Sequence, residues 1–238
     1  MTFRRALLPL LFLLPIATHA ATPPVSGNVD ILWQGETYTP PFYLGRALWG
    51  YQTRVTLVAV ANVSTNPNSL IYRWTQDDTV LGNNSGVGKR SLSWSDSVLS
   101  LPTTIKVDVT MPDGVTSVGS ATITLTPRAS QTLVVEDNPL FGLMLHKAVG
   151  DSLTLNGQEV SFSALPLFSG VSTRIAPAET YAWLTSGSPA RTGNKVTYRV
   201  PDGTSGSAEV TVRANNKNAI IEPLDKTFLV QFGQSNNI

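Results

Sequence analysis

From residue 55 onward, one series of half-buried strands is written twice. Side chains in a strand point to opposite faces with period two, so alternation of apolar and polar residues marks a strand with one wet face. In Thr104 to Thr110, Ile105, Val107 and Val109 alternate with Lys106, Asp108 and Thr110. In Ala121 to Thr126, Ala121, Ile123 and Leu125 alternate with three Thr, and Pro112-Asp113-Gly114 between the two segments supplies a turn. Upstream, Val55, Leu57 and Ala59 share a face, as do Tyr72 with Trp74 and Leu92 with Trp94. The second half restates this order: Val160-Ser161-Phe162-Ser163-Ala164 for residues 55–59, Tyr181-Ala182-Trp183 for 72–74, Val196-Thr197-Tyr198 for 92–94, and Val210-Thr211-Val212 for 107–109. The offsets are 105, 109, 104 and 103, so the gaps fall between strands, where loops absorb insertions.

Two homologous units follow, 21–127 and 128–238, joined near Pro127-Arg128-Ala129-Ser130 by a linker too short for much freedom. Each unit reads as about seven short strands with a Trp on the third main one, and no segment has convincing helical periodicity. Only 14% of residues are charged and 49 are Ser or Thr, a balance that favours strands. The expected fold class is therefore all-β, two tandem antiparallel sandwiches, with Trp74, Trp94, Trp183 and Tyr198 as core aromatics. Pro40-Pro41, Pro102 and Pro166 are read as guards against edge-to-edge strand pairing.

Tyr72-x-Trp74 followed by residues 104–114, and Tyr181-x-Trp183 followed by Ser207-Ala208-Glu209-Val210-Thr211-Val212, resemble the immunoglobulin-like superfamily, in particular the PKD-type and bacterial Ig-like modules of exported proteins. The resemblance implies immunoglobulin-like sandwiches and work as a spacer or adhesion-type interaction module. The acidic turn expected after the Trp of a PKD module is partly matched by Gln76-Asp77-Asp78 and is replaced by Thr185-Ser186-Gly187 in the second unit. With no Cys, both Trp must pack on aliphatic partners rather than on a disulfide.

Residues 1–20 read as a cleavable signal peptide: Arg4-Arg5, an apolar stretch from Ala6 to Ile16, and Thr18-His19-Ala20 as the cleavage site. That stretch is shorter than the roughly twenty residues a membrane-spanning helix needs. The expected destination, by Sec export, is periplasm, cell surface or medium, with no membrane span in the mature chain. Removing the signal leaves a formal charge of −1, and the whole chain is only +1. Neither value suits nucleic acid, which needs a basic excess.

Catalytic groups are scarce. Only His146 would remain for a Ser-His-Asp triad, no Gly-x-Ser-x-Gly turn is present, and thiolate or His-rich metal sites are excluded by count. Asp77-Asp78 and Glu136-Asp137 are the carboxylate pairs weighed for hydrolysis, and Asp77 and Asp78 the first candidates for calcium. The expectation is no enzyme, no cofactor and no metal. Aromatic density is the strongest functional signal: Trp33, Tyr38, Phe42, Tyr43, Trp49 and Tyr51 fall within 19 residues. Exposed rings anchor protein contacts and stack on sugars. Residues 41–48 are partly echoed by Pro139-Leu140-Phe141-Gly142 and Lys147-Ala148-Val149, so the shared part is read as the first strand crossing between sheets. Trp49-Gly50-Tyr51, which has no evident echo, is read with Tyr43 as the contact. The expected partner is an envelope or surface protein; the alternative is a polysaccharide bound through Tyr43, Trp49 and Tyr51.

Overall fold

The computed structural model describes residues 29–96, 100–186, 188–220 and 224–233. The expected signal peptide, 1–20, lies outside them. The first half carries β1 (Val29–Gly35), β2 (Arg54–Ala61), β3 (Ile71–Gln76), β4 (Thr79–Val80), β5 (Gly86–Val87), β6 (Ser91–Ser95), β7 (Thr103–Thr110) and β8 (Ser117–Leu125). The second carries β9 (Gln131–Asn138), β10 (Gly142–Ala148), β11 (Ser152–Leu155), β12 (Glu159–Leu167), β13 (Glu179–Thr185), β14 (Ser188–Thr192), β15 (Lys195–Arg199), β16 (Gly206–Asn216) and β17 (Leu224–Phe232). Among the described residues the only helix is a three-residue 3-10 turn, Gly82–Asn84, so no helix is long and apolar enough to cross a membrane.

In the first half a sheet ordered β1-β2-β6 packs on a sheet ordered β4-β3-β7-β8, with β5 also on β3. The alternation read from sequence lands on the inner faces: Val55, Leu57, Tyr72, Trp74, Ile105, Val107 and Val109 are fully buried in one cluster. In the second half β10-β9-β12-β15 packs on β11-β17-β16-β13-β14, and Val160, Phe162, Trp183, Val210, Val212 and Phe228 form its core. Among these pairings only β11 with β17 is parallel between named strands. The fold is all-β, two sandwiches of predominantly antiparallel sheets.

The repetition extends to individual hydrogen bonds. Trp74 Nε1 donates to Lys89 O and Trp183 Nε1 to Gly193 O, both at 2.8 Å. Tyr72 Oη donates to Pro67 O and Tyr181 Oη to Arg174 O, both at 3.0 Å. Thr56 and Ser93 share a hydroxyl bond of 2.8 Å across β2 and β6, matched by Ser161 and Thr197 at 2.7 Å across β12 and β15. Each buried ring thus places its polar atom against a loop carbonyl, where leaving it unpaired would cost a desolvation penalty. Trp94 and Tyr198 are partly buried and pack at the margins of the two cores.

The prolines are placed otherwise than expected. Pro40-Pro41 lies in a loop, Pro102 immediately precedes the inner strand β7, and Pro166 pairs with Thr132 inside β12. Pro166 is tolerated there because the β12–β15 ladder has already ended at Ser163, which leaves that flank with no partner for a donor. Guarding of the outer edges falls to other residues, such as Lys195 and Arg199 on β15.

Candidate interaction site

After β1 the chain leaves the sandwich on a loop, residues 36–49, and returns to it. The return is fixed by Gly35 N donating to Ala47 O at 2.9 Å and Thr37 Oγ1 donating to Leu48 O at 2.8 Å. A Cβ on Gly35 would lie 2.4 Å from Leu48 O, so the two strands of the loop neck can approach this closely only with glycine there. At the tip, Tyr43 N donates to Pro40 O, and Tyr43 Oη donates to Arg46 O at 3.2 Å. The Arg46 guanidinium lies 4.7 Å from the Trp33 ring centroid, which ties the far limb of the loop to β1.

These contacts hold three apolar side chains in water: Phe42 is 95% exposed, Tyr43 51% and Leu44 100%. Phe42 also has φ +63, a left-handed conformation that costs a non-glycine residue roughly 1–3 kcal/mol.

The other aromatics of the segment are elsewhere. Trp49 is wholly buried, donates from Nε1 to Thr53 O at 3.1 Å, and meets Trp94 edge-on at 5.7 Å between ring centroids. It is a core residue of the first sandwich, and reading it as a contact is corrected. Its segment also has a counterpart. Arg128 N donates to Trp49 O at 2.8 Å and Tyr51 N to Arg128 O at 3.0 Å, a parallel bridge at the end of the last strand. This is the pairing that β11 makes with β17, shortened to one residue. The crossing between sheets is therefore made by Trp49-Gly50-Tyr51, and residues 41–48 are the excursion before it. In the second half the excursion is the hairpin β9–β10, whose register shifts between Leu143 and Ala148 and whose tip exposes Leu140 (86%) and Phe141 (74%).

Tyr38 and Tyr51 belong to the junction between the sandwiches. Tyr38 is buried against Val135, Leu165 and Val171 of the second half, and its N donates to Ser169 O at 2.9 Å. Tyr51 is half-buried and lines a cavity of about 100 Å³ with Thr53, Ser130, Ser169, Glu179 and Asn216. Glu179 accepts from Ser169 Oγ at 3.0 Å, and Ser169 accepts in turn from Asn216 at 3.1 Å. Burial pushes the Glu179 carboxyl above the usual carboxylate range, and burial with the nearby Glu179 pushes the Tyr181 phenol up.

The carboxylates weighed for chemistry are dispersed. Asp77 and Asp78 form the β3–β4 turn with φ +44 and +66, and Asp77 accepts from Thr104 N at 2.8 Å. Asp137 is paired with Lys195 at 2.9 Å, while Glu136, its neighbour on β9, accepts from Asn138. His146 is exposed on β10. Among the described residues no group of three or more His, Asp or Glu is placed to hold a metal ion.

The residues best placed for contact are thus Phe42, Tyr43 and Leu44. Tyr43 was legible from aromatic density; Leu44 carried no signal of its own. Glu179 gave none either, because strand neighbours do not reveal that a carboxylate ends at a junction.

No family model matches the chain, and no curated protein matches it. Solved structures similar to it at low identity include receptor and immunoglobulin- or fibronectin-domain chains as well as an enzyme, the Parabacteroides merdae beta-glucuronidase (9% identity, 87% of this chain and 25% of that one, TM-score 0.26). They include the chicken interferon gamma receptor alpha chain (7% identity, 79% of this chain and 96% of that one, TM-score 0.31). Chicken CNTN1 FN1–FN3 domains are similar at 12% identity over 91% of this chain and 70% of that one, TM-score 0.30. Sidekick-1 immunoglobulin domains 1–5 are similar at 11% identity over 90% of this chain and 40% of that one, TM-score 0.31.

Proposed function

We propose that the chain is a non-enzymatic exported protein that works as an interaction module at the cell envelope or surface, its contact being the tip Phe42-Tyr43-Leu44. The observation that carries this reading is the tip itself: three consecutive apolar residues held in water by a braced loop. Consecutive exposed apolar groups are a standing cost in solubility and mark a surface that a partner covers. Phe42 and Tyr43 supply rigid rings that bury a large area at small entropic cost, and Leu44 extends the same patch. The resemblance of the sequence to bacterial Ig-like and PKD-type modules fits such a role, and the apolar segment 6–16 fits export.

The tip favours a protein partner over a sugar. Sugar stacking needs flat ring faces, and the burial of Trp49 leaves Phe42 and Tyr43 for that purpose, next to a fully exposed aliphatic Leu44. The test is the double variant Phe42→Ser, Leu44→Ser, purified and checked for an unchanged unfolding midpoint. Co-purification of an envelope protein with the parent chain and its loss from the variant is the expected result. Retained co-purification, or binding instead to envelope polysaccharide, overturns the protein-contact reading.

A further inference from the structure

The two sandwiches differ at one edge. In the second sandwich β11 lies on the outer edge of β17, with Ser152 opposite Leu229 and Leu155 opposite Phe232, and Leu229 N donates to Asp151 O at 2.9 Å. Under that cover Phe228 and Val230 are 2% and 5% exposed. By the ladders to the neighbouring strands, where Val107 faces Ala121 and Val210 faces Phe228, the corresponding residues of β8 are Ala121 and Ile123. Both are only partly buried, as are Ile31 and Trp33 on β1 across the sandwich. Among the described residues the one parallel contact to this edge is Gly50–Arg128, beyond the end of β8, and nothing pairs along β8 itself on the side away from β7.

By the same correspondence Thr122 stands for Leu229, so the N–H groups of Thr122 and Thr124 face the open side. β8 also lacks the usual guards: Ser117–Leu125 contains no charge and no proline, whereas the edge strands β14 and β15 carry Arg191, Lys195 and Arg199. We propose that the open edge of β8 is a strand-acceptor site, taking an extended segment of another polypeptide that runs parallel to β8 with apolar residues at alternate positions. The occupant is specified by the molecule itself: Ser152-Leu153-Thr154-Leu155 covers the equivalent edge with its two Leu partly buried against the core, and an incoming strand would continue the ladder begun at Gly50–Arg128. Main-chain hydrogen bonds would give affinity, and the partly covered Ala121 and Ile123 would select the apolar alternation. This site stands apart from the loop tip and does not depend on it.

The test titrates the intact mature protein with a synthetic peptide copying 150–157, Gly-Asp-Ser-Leu-Thr-Leu-Asn-Gly, to millimolar concentration while amide hydrogen exchange is followed residue by residue. The expected result is slowing of the Thr122 and Thr124 amides by about tenfold or more, with no slowing on β6 or β15. A peptide of the same composition with its two Leu adjacent should leave them unchanged, and Thr122→Pro, which removes one edge donor, should abolish the response. Because the rearranged peptide is tested on the unmodified protein, the outcome does not depend on how the proline variant folds. No slowing at saturating peptide, or equal slowing by the rearranged peptide, overturns the proposal. Slowing that grows with protein concentration in the absence of peptide also overturns it, since the occupant would then be a second copy of this chain.

Discussion

Trp74 and Trp183 show how one residue anchors each unit. Each ring is buried, and each indole N–H must find an acceptor inside; the loop before the next strand brings one at 2.8 Å. Trp183→Ala removes both ring and bond and is expected to cost about 3–5 kcal/mol in chemical denaturation, with Trp74→Ala in the same range. Trp183→Phe keeps most of the apolar contact but orphans Gly193 O, and should cost clearly less. A Trp183→Ala variant of unchanged stability would contradict this packing. Glu179 gives a pH signature with a definite sign. Its folded-state pKa is raised by burial, so the folded state holds the proton over a window where the unfolded chain has released it. That contribution is complete below the ordinary carboxylate range and is lost as pH rises through the raised value. Glu179→Gln should remove this slope and leave the protein more stable than the parent at neutral pH, as followed by unfolding midpoints between pH 4 and 8. The phenols of Tyr38 and Tyr181 stand near the same junction, and burial pushes both up, away from that window. The inner rings were legible because they sit on period-two strands, whereas Trp49 was misread because it lies outside any alternating run, where local sequence does not say which way a ring points.

At the level of elements, strands with a core face and tight turns were readable, and edges were not. Pro112-Asp113-Gly114 became the β7–β8 turn as its residues suggest: the Asp113 carboxylate accepts from Val115 N and Thr116 N, each at 2.9 Å, and from the Thr116 hydroxyl. These bonds, the Thr116 hydroxyl first, hold Asp113 below the usual carboxylate range, so their contribution is present above that range and is lost as pH falls through the lowered value. Asp113→Ala is expected to accelerate amide exchange at Val115 and Thr116 and nowhere in the second sandwich; unchanged exchange at both would contradict it. The excursion after the first strand was only half legible. The echo of residues 41–48 in 139–149 was visible, but one copy became an irregular loop and the other a hairpin. Prolines 40 and 41 deny backbone donors to the first and bend it, whereas Leu143, Met144 and Leu145 give the second an apolar run that lies partly buried.

At the scale of the molecule, the short linker read from sequence is reinforced by contacts no pattern discloses. Tyr38 packs against Val135, Leu165 and Val171 of the second sandwich, Ile220 N donates to Gln52 Oε1 at 2.9 Å, and Gly50 lies so close to Phe168 that an added Cβ would sit 2.2 Å from its carbonyl oxygen. Such contacts join residues far apart in sequence, and their geometry follows from how both sandwiches are already folded. Gly50→Ala must therefore push the two halves apart, and calorimetry should show the unfolding of the variant split into two transitions where the parent shows one. A single unshifted transition would mean that the junction is not tight. The central claim is that Phe42-Tyr43-Leu44 is the surface a partner covers, and site-specific photo-crosslinking in the producing cells tests it most directly. With the reactive group at Leu44, and at the likewise exposed Val87 of β5 as reference, the account predicts one defined protein adduct from Leu44 and none from Val87. No adduct from Leu44, or the same adducts from both positions, would contradict it.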